Sequence, residues 1–196
     1  MRLMSLLGNL PRSPRLVYLT LIAGSSLLAI VPQETAKAQS QTLAAECNQF
    51  ATVVGQNQQI MASFNAEIEA FSQNASQAET LEDIQAAARQ YVEAVNGVIE
   101  NLDTLVDDLN VLSLSDEPLS SYRNQYSAVV EGFNESLMIA AEAMNGVAEA
   151  ESEEVLPERV ETLQTDTVGA VEQIQQLAAE ETDIIQNVNT HCGVES

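Results

Sequence analysis

Residues 81–112 read LEDIQAAARQYVEAVNGVIENLDTLVDDLNVL. Apolar side chains recur at Leu81, Ile84, Ala88, Tyr91, Val95, Val98, Leu102, Leu105, Leu109 and Leu112, in steps that alternate between three and four residues without a break. A mean period of 3.5 puts all of them on one helix face and is the pattern of left-handed, knobs-into-holes packing. Val92, Ile99 and Val106 widen that face along one flank. A two-stranded coil uses a narrower seam, so this helix belongs to a core with several neighbours. Thr80 with Asp83 three residues later forms a capping box at its start.

Outward from this segment the same rhythm appears three more times. On the N-terminal side it uses Leu43, Cys47, Phe50, Val54, Asn57, Met61, Phe64, Ile68 and Phe71. On the C-terminal side it uses Leu119, Tyr122, Tyr126, Val129, Phe133, Ala140, Ala143 and Val147, flanked by Val130, Leu137 and Met144. The last segment uses Leu156, Val160, Leu163, Ala170, Ile174, Leu177, Ile184 and Val188, flanked by Val171, Ala178 and Ile185. Polar or proline-bearing stretches at 72–76, 113–118 and around Ser152 and Pro157 separate them. The expected helices are roughly 41–73, 81–113, 117–149 and 154–188. Connections this short make neighbouring helices antiparallel. The fold class that follows is all-α: an antiparallel up-down-up-down four-helix bundle with long, coiled-coil-like helices. The runner-up is a pair of long hairpins that completes its core only in a dimer.

The first 38 residues are of another kind. Arg2, Arg12 and Arg15 precede an apolar run over 16–31, and Ala36-Lys37-Ala38 supplies a small-x-small cleavage site. That order is a secretory signal peptide, with Gln39 as the new terminus and 39–196 as the bundle domain. The apolar run is shorter than the roughly 20 residues a spanning helix needs, so an uncleaved N-terminal anchor is the alternative rather than the first reading. No twin arginine is present, which favours the general secretory route. Glu46 precedes Cys47 where a lipoprotein site requires a small residue. The destination is periplasmic, lumenal or extracellular. Cys47 and Cys192, the two cysteines of the chain, stand near the two ends of the bundle domain, and an exported protein with an even count pairs them. Matching the expected helix ends leaves Cys192 about nine residues, some 13 Å, beyond the level of Cys47. The expected remedy is a fourth helix ending near Val188, with residues 189–193 folding back along the first helix.

Charge excludes several functions. The chain has 7 basic and 29 acidic residues. Residues 1–38 contain four of those bases and one acid, which leaves three arginines against 28 carboxylates and a net charge of −25 for 39–196. Nucleic-acid binding needs clustered Lys and Arg and is excluded. Stable membrane insertion after cleavage and adhesion to an anionic bilayer are disfavoured for the same reason.

The chemistry-bearing residues are few. His191 is the sole histidine, so neither a di-iron Glu-x-x-His pair nor a bis-histidine haem site can form. Nucleophile–histidine catalysis has no evident partner for it. No catalytic residue, metal ligand set or cofactor is assigned, and the chain is expected not to be an enzyme. Loops one and three fall at one end of the bundle and bring together Glu79, Glu82, Asp83, Glu149, Glu151, Glu153, Glu154 and Glu158, beside Arg159. Acids near helix N-termini complement the helix dipole, which accounts for the cluster as solvated surface. The functional reading is a divalent-cation site or a contact for a basic or envelope protein. Asn57 stands in a core slot, where a single buried amide fixes register; a polar pocket for a small ligand is the alternative. Thr167 and Glu181 also occupy core slots, and Glu181 is expected to reach water. Gly55, Gly97, Gly132 and Gly169 lie near mid-helix and read as drift or as a waist of close packing. The function that emerges is an exported, non-enzymatic binding or scaffold module. A small-ligand or cation-binding, sensor-like bundle is the alternative.

Overall fold

A computed structural model describes the backbone of residues 34–194 and the side chains of 42–194. The signal-peptide reading of residues 1–33 lies outside the described residues. Four helices pack against one another: α1 (Glu34–Gln77), α2 (Leu81–Val111), α3 (Glu117–Ala148) and α4 (Leu156–His191). Contacts between chain neighbours pair a rising residue number with a falling one. Glu46 meets Ser115, Gln56 meets Asp108 and Asn74 meets Gln90. Arg123 meets Leu112, Asn134 meets Asp103, and Gln85 meets Ala150. Tyr126 meets Glu181, and His191 meets Asp116.

Local sequence explains the helix ends. The Thr80 hydroxyl accepts from the Asp83 N–H while the Asp83 carboxylate accepts from the Thr80 N–H, so the capping box forms as read. Asp116 caps α3 by accepting from the Leu119 N–H at 2.9 Å, with Pro118 in the first turn, where its missing N–H costs nothing. α4 ends at Gly193, whose φ of 71° is a left-handed conformation that glycine adopts freely, and Val194 N–H closes the end onto Asn189 C=O.

Two boundaries differ from expectation, and the ends of α1 and α4 do not match: α1 begins 13 residues before Cys47, while α4 stops one residue before Cys192. α1 begins at Glu34 instead of 41, and α4 continues to His191 instead of stopping near Val188. No glycine or proline interrupts 156–192 after Pro157 except Gly169, so nothing stops α4 before Gly193. Cys192 is the residue that ends the helix, and it meets Cys47 with Cα atoms 6.0 Å apart in a disulfide. No tail folds back; the two helices reach each other directly.

The packing is uneven. The main core joins Phe50 and Val53 of α1 to Val98, Leu102, Leu105 and Leu109 of α2, Leu119, Tyr126 and Val130 of α3, and Ile184 and Val188 of α4. A second cluster at the other end comprises Ala88, Val147, Ala148, Ala150 and Leu156, with Leu81, Ile84, Met144, Val155, Val160 and Leu163 around it, and contains no α1 residue. α1 lies along α2, but its backbone hardly approaches α4. The expectation that Met61, Phe64, Ile68 and Phe71 are core is therefore corrected: Met61 is 40% exposed and the other three are half-buried. The buried residues of this half are smaller. Ala87, Ala88, Ala140, Ala143 and Ala170 are buried in this half. Side chains of α2, α3 and α4 share this second cluster, and α1 rests on α2 there through Phe71–Tyr91, whose rings are 5.1 Å apart.

Candidate functional site

Polar side chains gather at three places, and the first two were only partly legible from sequence. At the disulfide end Glu46, on the first α1 turns with described side chains, is buried. Its Oε1 accepts from the Ser115 N–H (3.0 Å) and the Ser115 hydroxyl, and its Oε2 accepts from the Asp116 N–H (3.1 Å). The carboxylate thereby occupies the N-terminus of α3, where unsatisfied N–H groups favour an anion. The Ser115 hydroxyl and these two N–H groups hold its carboxyl below the usual glutamate range. Asp116 in turn stands 2.8 Å from His191 Nε2, and the His191 ring meets Tyr122 edge-on. The residues preceding both cysteines thus pin the α2–α3 connection between the two bonded helices. From sequence, Glu46 serves only to reject a lipoprotein site, and His191 falls on a tail expected to fold back along the first helix. The signal present was the adjacency of each to a cysteine.

The second place is mid-bundle. Asn57 Nδ2 donates to Glu181 Oε1 (2.8 Å) and to the Tyr126 hydroxyl oxygen (3.2 Å), while the Tyr126 hydroxyl donates to the same Glu181 oxygen (2.8 Å). Three residues in core slots of three helices thus form one triad. Glu181 does not extend to water alone, as sequence suggested; it is the shared acceptor that makes burial of Asn57 and Tyr126 tolerable. Burial, reinforced by the Glu181 charge, raises the Tyr126 phenol well above its ordinary value. Asn57 Oδ1 is buried with no protein partner. Asn134, which the reading missed, donates to Asp103 across α2 and α3, and its own Oδ1 is likewise unpartnered. Ser136 fills the slot skipped between Phe133 and Ala140, fully buried, with its hydroxyl bonded to the Gly132 carbonyl. Thr167 bonds the Leu163 carbonyl in the same way.

The third place is the acidic end. Gln85 Nε2 in the second turn of α2 donates to the Ala150 carbonyl at 2.8 Å, which ties the start of α2 to the connection after α3. Glu79, Glu82, Asp83, Glu149, Glu151, Glu153, Glu154 and Glu158 are all exposed there. Two of them are used locally: Asp83 in the Thr80 cap, which lowers its carboxyl below the ordinary range, and Glu149 as acceptor for Asn145. Among the described residues no three His, Cys, Asp or Glu side chains converge as a metal cage. Open hollows lie nearby, one walled by Asn74, Gln77, Asp83 and Gln90, another by Ile139, Gly146, Arg159 and Asp166.

The glycines do not form a waist. A Cβ on Gly55, Gly97 or Gly169 would meet nothing within 4 Å, whereas on Gly132 it would lie 2.9 Å from Leu177 Cδ2. Close approach is needed at Gly132 alone of the four. Among the described residues no helix is long and apolar enough to cross a membrane. No protein-family model, curated protein or solved structure matches this chain.

Proposed function

We propose that the chain is exported by the secretory route, is cut after Ala38, and works outside the cytoplasm as a non-enzymatic binding or scaffold module. Its architecture in this reading is an antiparallel up-down-up-down bundle. The observation that carries it is where the polar groups go. Glu46, Asn57, Tyr126, Asn134 and Glu181 are spent on bonds between helices, and a disulfide fixes α1 to α4. A chain built this way invests its buried polarity in rigidity and offers its surface for contact. The disulfide agrees with an oxidising compartment. The cut falls within the first turns of α1, so it precedes folding of the bundle, when residues 34–41 are free of helix. Partners of matching chemistry are a basic or envelope protein; nucleic acid is not among them.

The test is the protein recovered from its native host. Intact mass is expected to begin at Gln39 with the disulfide formed, and in-cell photo-cross-linking from exposed positions such as Gln59 is expected to trap a defined envelope protein. A mass that retains residues 1–38 in full overturns export with cleavage. The unpartnered Asn57 Oδ1 favours one second reading, a small ligand admitted between α1 and α4. A saturable rise in melting temperature with a metabolite, lost in Asn57→Ala, would select it over the scaffold reading.

A further inference from the structure

We infer that the α2–α3 connection is a seat that brings Cys47 and Cys192 together in the folded protein before they bond, so that the disulfide opens and re-forms on an intact bundle. Glu46 and His191 are the positioning residues. The inference needs only the fold and stands whether or not export is correct.

The seat is built without either cysteine. The Arg123 guanidinium donates to the Leu112 carbonyl at 3.0 Å, the Asp116 carboxylate accepts from the Leu119 N–H at 2.9 Å, and the Ser120 N–H donates to the Asp116 carbonyl at 3.0 Å. Leu109 and Leu119, on either side of the connection, are shut off from solvent. None of these bonds involves α1 or α4, so reduction leaves them in place.

Each cysteine is then delivered by the residue before it. Glu46 fixes the α1 side: its carboxylate takes three charge-assisted bonds, from the Ser115 N–H, the Ser115 hydroxyl and the Asp116 N–H. His191 fixes the α4 side through Asp116 Oδ1 at 2.8 Å, with its ring edge-on to Tyr122. Both anchors converge on Asp116, one at its N–H and one at its carboxylate. The backbones of α1 and α4 hardly approach each other, so a third element that grips both has the leverage to set their spacing. The cysteine Cα atoms it leaves 6.0 Å apart are within bonding reach.

Cys47 is buried and Cys192 half-buried, so exchange starts at Cys192. With a small disulfide such as oxidised glutathione, the Cys192 thiolate attacks one sulfur and expels one glutathione thiolate. The Cys47 thiolate then attacks Cys192 Sγ of the mixed disulfide and expels the second. The two cysteine protons pass to the two released thiolates, and the glutathione disulfide gains the two electrons that the cysteines lose. The seat acts on the second step and on the equilibrium, because it raises the effective concentration of one thiol around the other.

Equilibration of the folded protein in glutathione buffers of stepped ratio measures that effective concentration. Glu46→Ala is expected to lower the equilibrium constant for bond formation about tenfold, which is about 30 mV for a two-electron couple, and His191→Ala several-fold. The reduced proteins are expected to keep their helical circular dichroism. Thr80→Ala, which removes the α2 cap at the other end, should lower the melting temperature and leave the constant unchanged, so a general loss of stability does not imitate the effect. Direction separates positioning from charge. Removing an acid and removing a base would act oppositely on the neighbouring thiols, whereas lost positioning weakens bond formation in both variants. If Glu46→Ala does not fold when reduced, His191→Ala, at a half-buried helix end, decides alone. An unchanged constant in either folded variant overturns the inference, and so do opposite shifts in the two.

Discussion

Leu102, Leu105 and Leu109 of α2 are shut off from solvent, yet Ile84 and Tyr91, earlier on the same uninterrupted stripe, are only half-buried. The heptad rhythm is equal along the helix; the neighbours are not. In the disulfide half α2 meets Phe50 and Val53 of α1, Tyr126 and Val130 of α3, and Ile184 of α4. In the acidic half it meets Val147, Ala148 and Leu156 in a cluster without α1, and an α1 whose backbone hardly approaches α4. Periodicity therefore decides that a helix forms and which face it buries, while the volume of the facing residues decides how many helices share the core. Large side chains in four helices make a four-sided core. The acidic half, with more alanine among its buried residues, builds its cluster from three helices.

The sharpest way to break this comparison is to truncate one core-phase side chain in each half. Leu105→Ala removes a fully buried side chain from the four-sided core and should cost about 2–5 kcal/mol. Phe71→Ala removes a larger side chain from the other half, but one already half in water, and should cost clearly less. Urea unfolding of both variants checks the order. Equal losses would show that the halves are equally packed.

Opening the Cys47–Cys192 bond comes next. It closes 145 residues of separation, and its loss should cost about 2–4 kcal/mol through the freed unfolded chain. Hydrogen exchange should localise the native-state response. Amides in residues 46–57 and 181–192 are expected to lose protection on reduction, while those near Ala88 and Leu156 barely change. Uniform loss along all four helices would mean that the clasp stabilises the whole bundle evenly.

How much of this was legible follows from the same contrast. The helices, their order, the cap at Thr80 and the cysteine pair are written in local signals: period, punctuation and count. Local signals could not locate the partners of Glu46 or Glu181, because those bonds span 69 and 124 residues, and their existence depends on a register in which α1 overhangs the end of α4. An end-matched register shifted Cys192 away from Cys47 and hid both polar clusters. Asn57, Tyr126 and Glu181 were each visible as core-slot residues. That they meet required knowing which heights coincide.

The pH response should separate the halves less strongly. Glu46 is held below its ordinary range in the folded protein. Its contribution is present above the unfolded value, near pH 4.3, and is lost as pH falls through the folded value. Glu46→Gln should flatten the acid limb of the stability profile. Tyr126 is shifted the other way. Its contribution is complete below about pH 10 and is lost at higher pH, because the fold must keep the phenol protonated. Tyr126→Phe should reduce the alkaline loss, leaving the part due to Tyr91, which burial also raises. Chemical denaturation at stepped pH reads both limbs. An acid limb unchanged in Glu46→Gln would remove the carboxylate from the account of the clasp.

The smallest effect belongs to the acidic loops. Screening acts on dispersed charge, and the Debye length falls from about 10 Å at 0.1 M salt to about 3 Å at 1 M. Sodium chloride should therefore raise the melting temperature gradually, with no saturation at millimolar levels. A divalent site would behave differently, stabilising as RT ln(1 + [L]/Kd) and levelling off once filled. Glu151, Glu153 and Glu154 are exposed, and among the described residues no three acids, histidines or cysteines converge. Calcium at matched ionic strength is thus expected to add no saturable increment over sodium. Replacing the three glutamates together by glutamine should raise stability slightly at low salt by easing repulsion, and should shrink the sodium response only a little, because most of the 29 acids remain. A calcium increment that saturates in the native protein and vanishes in the triple variant would overturn this view. It would show that the loops gather around an ion, and that the acidic half has an organising centre of its own to set against the disulfide.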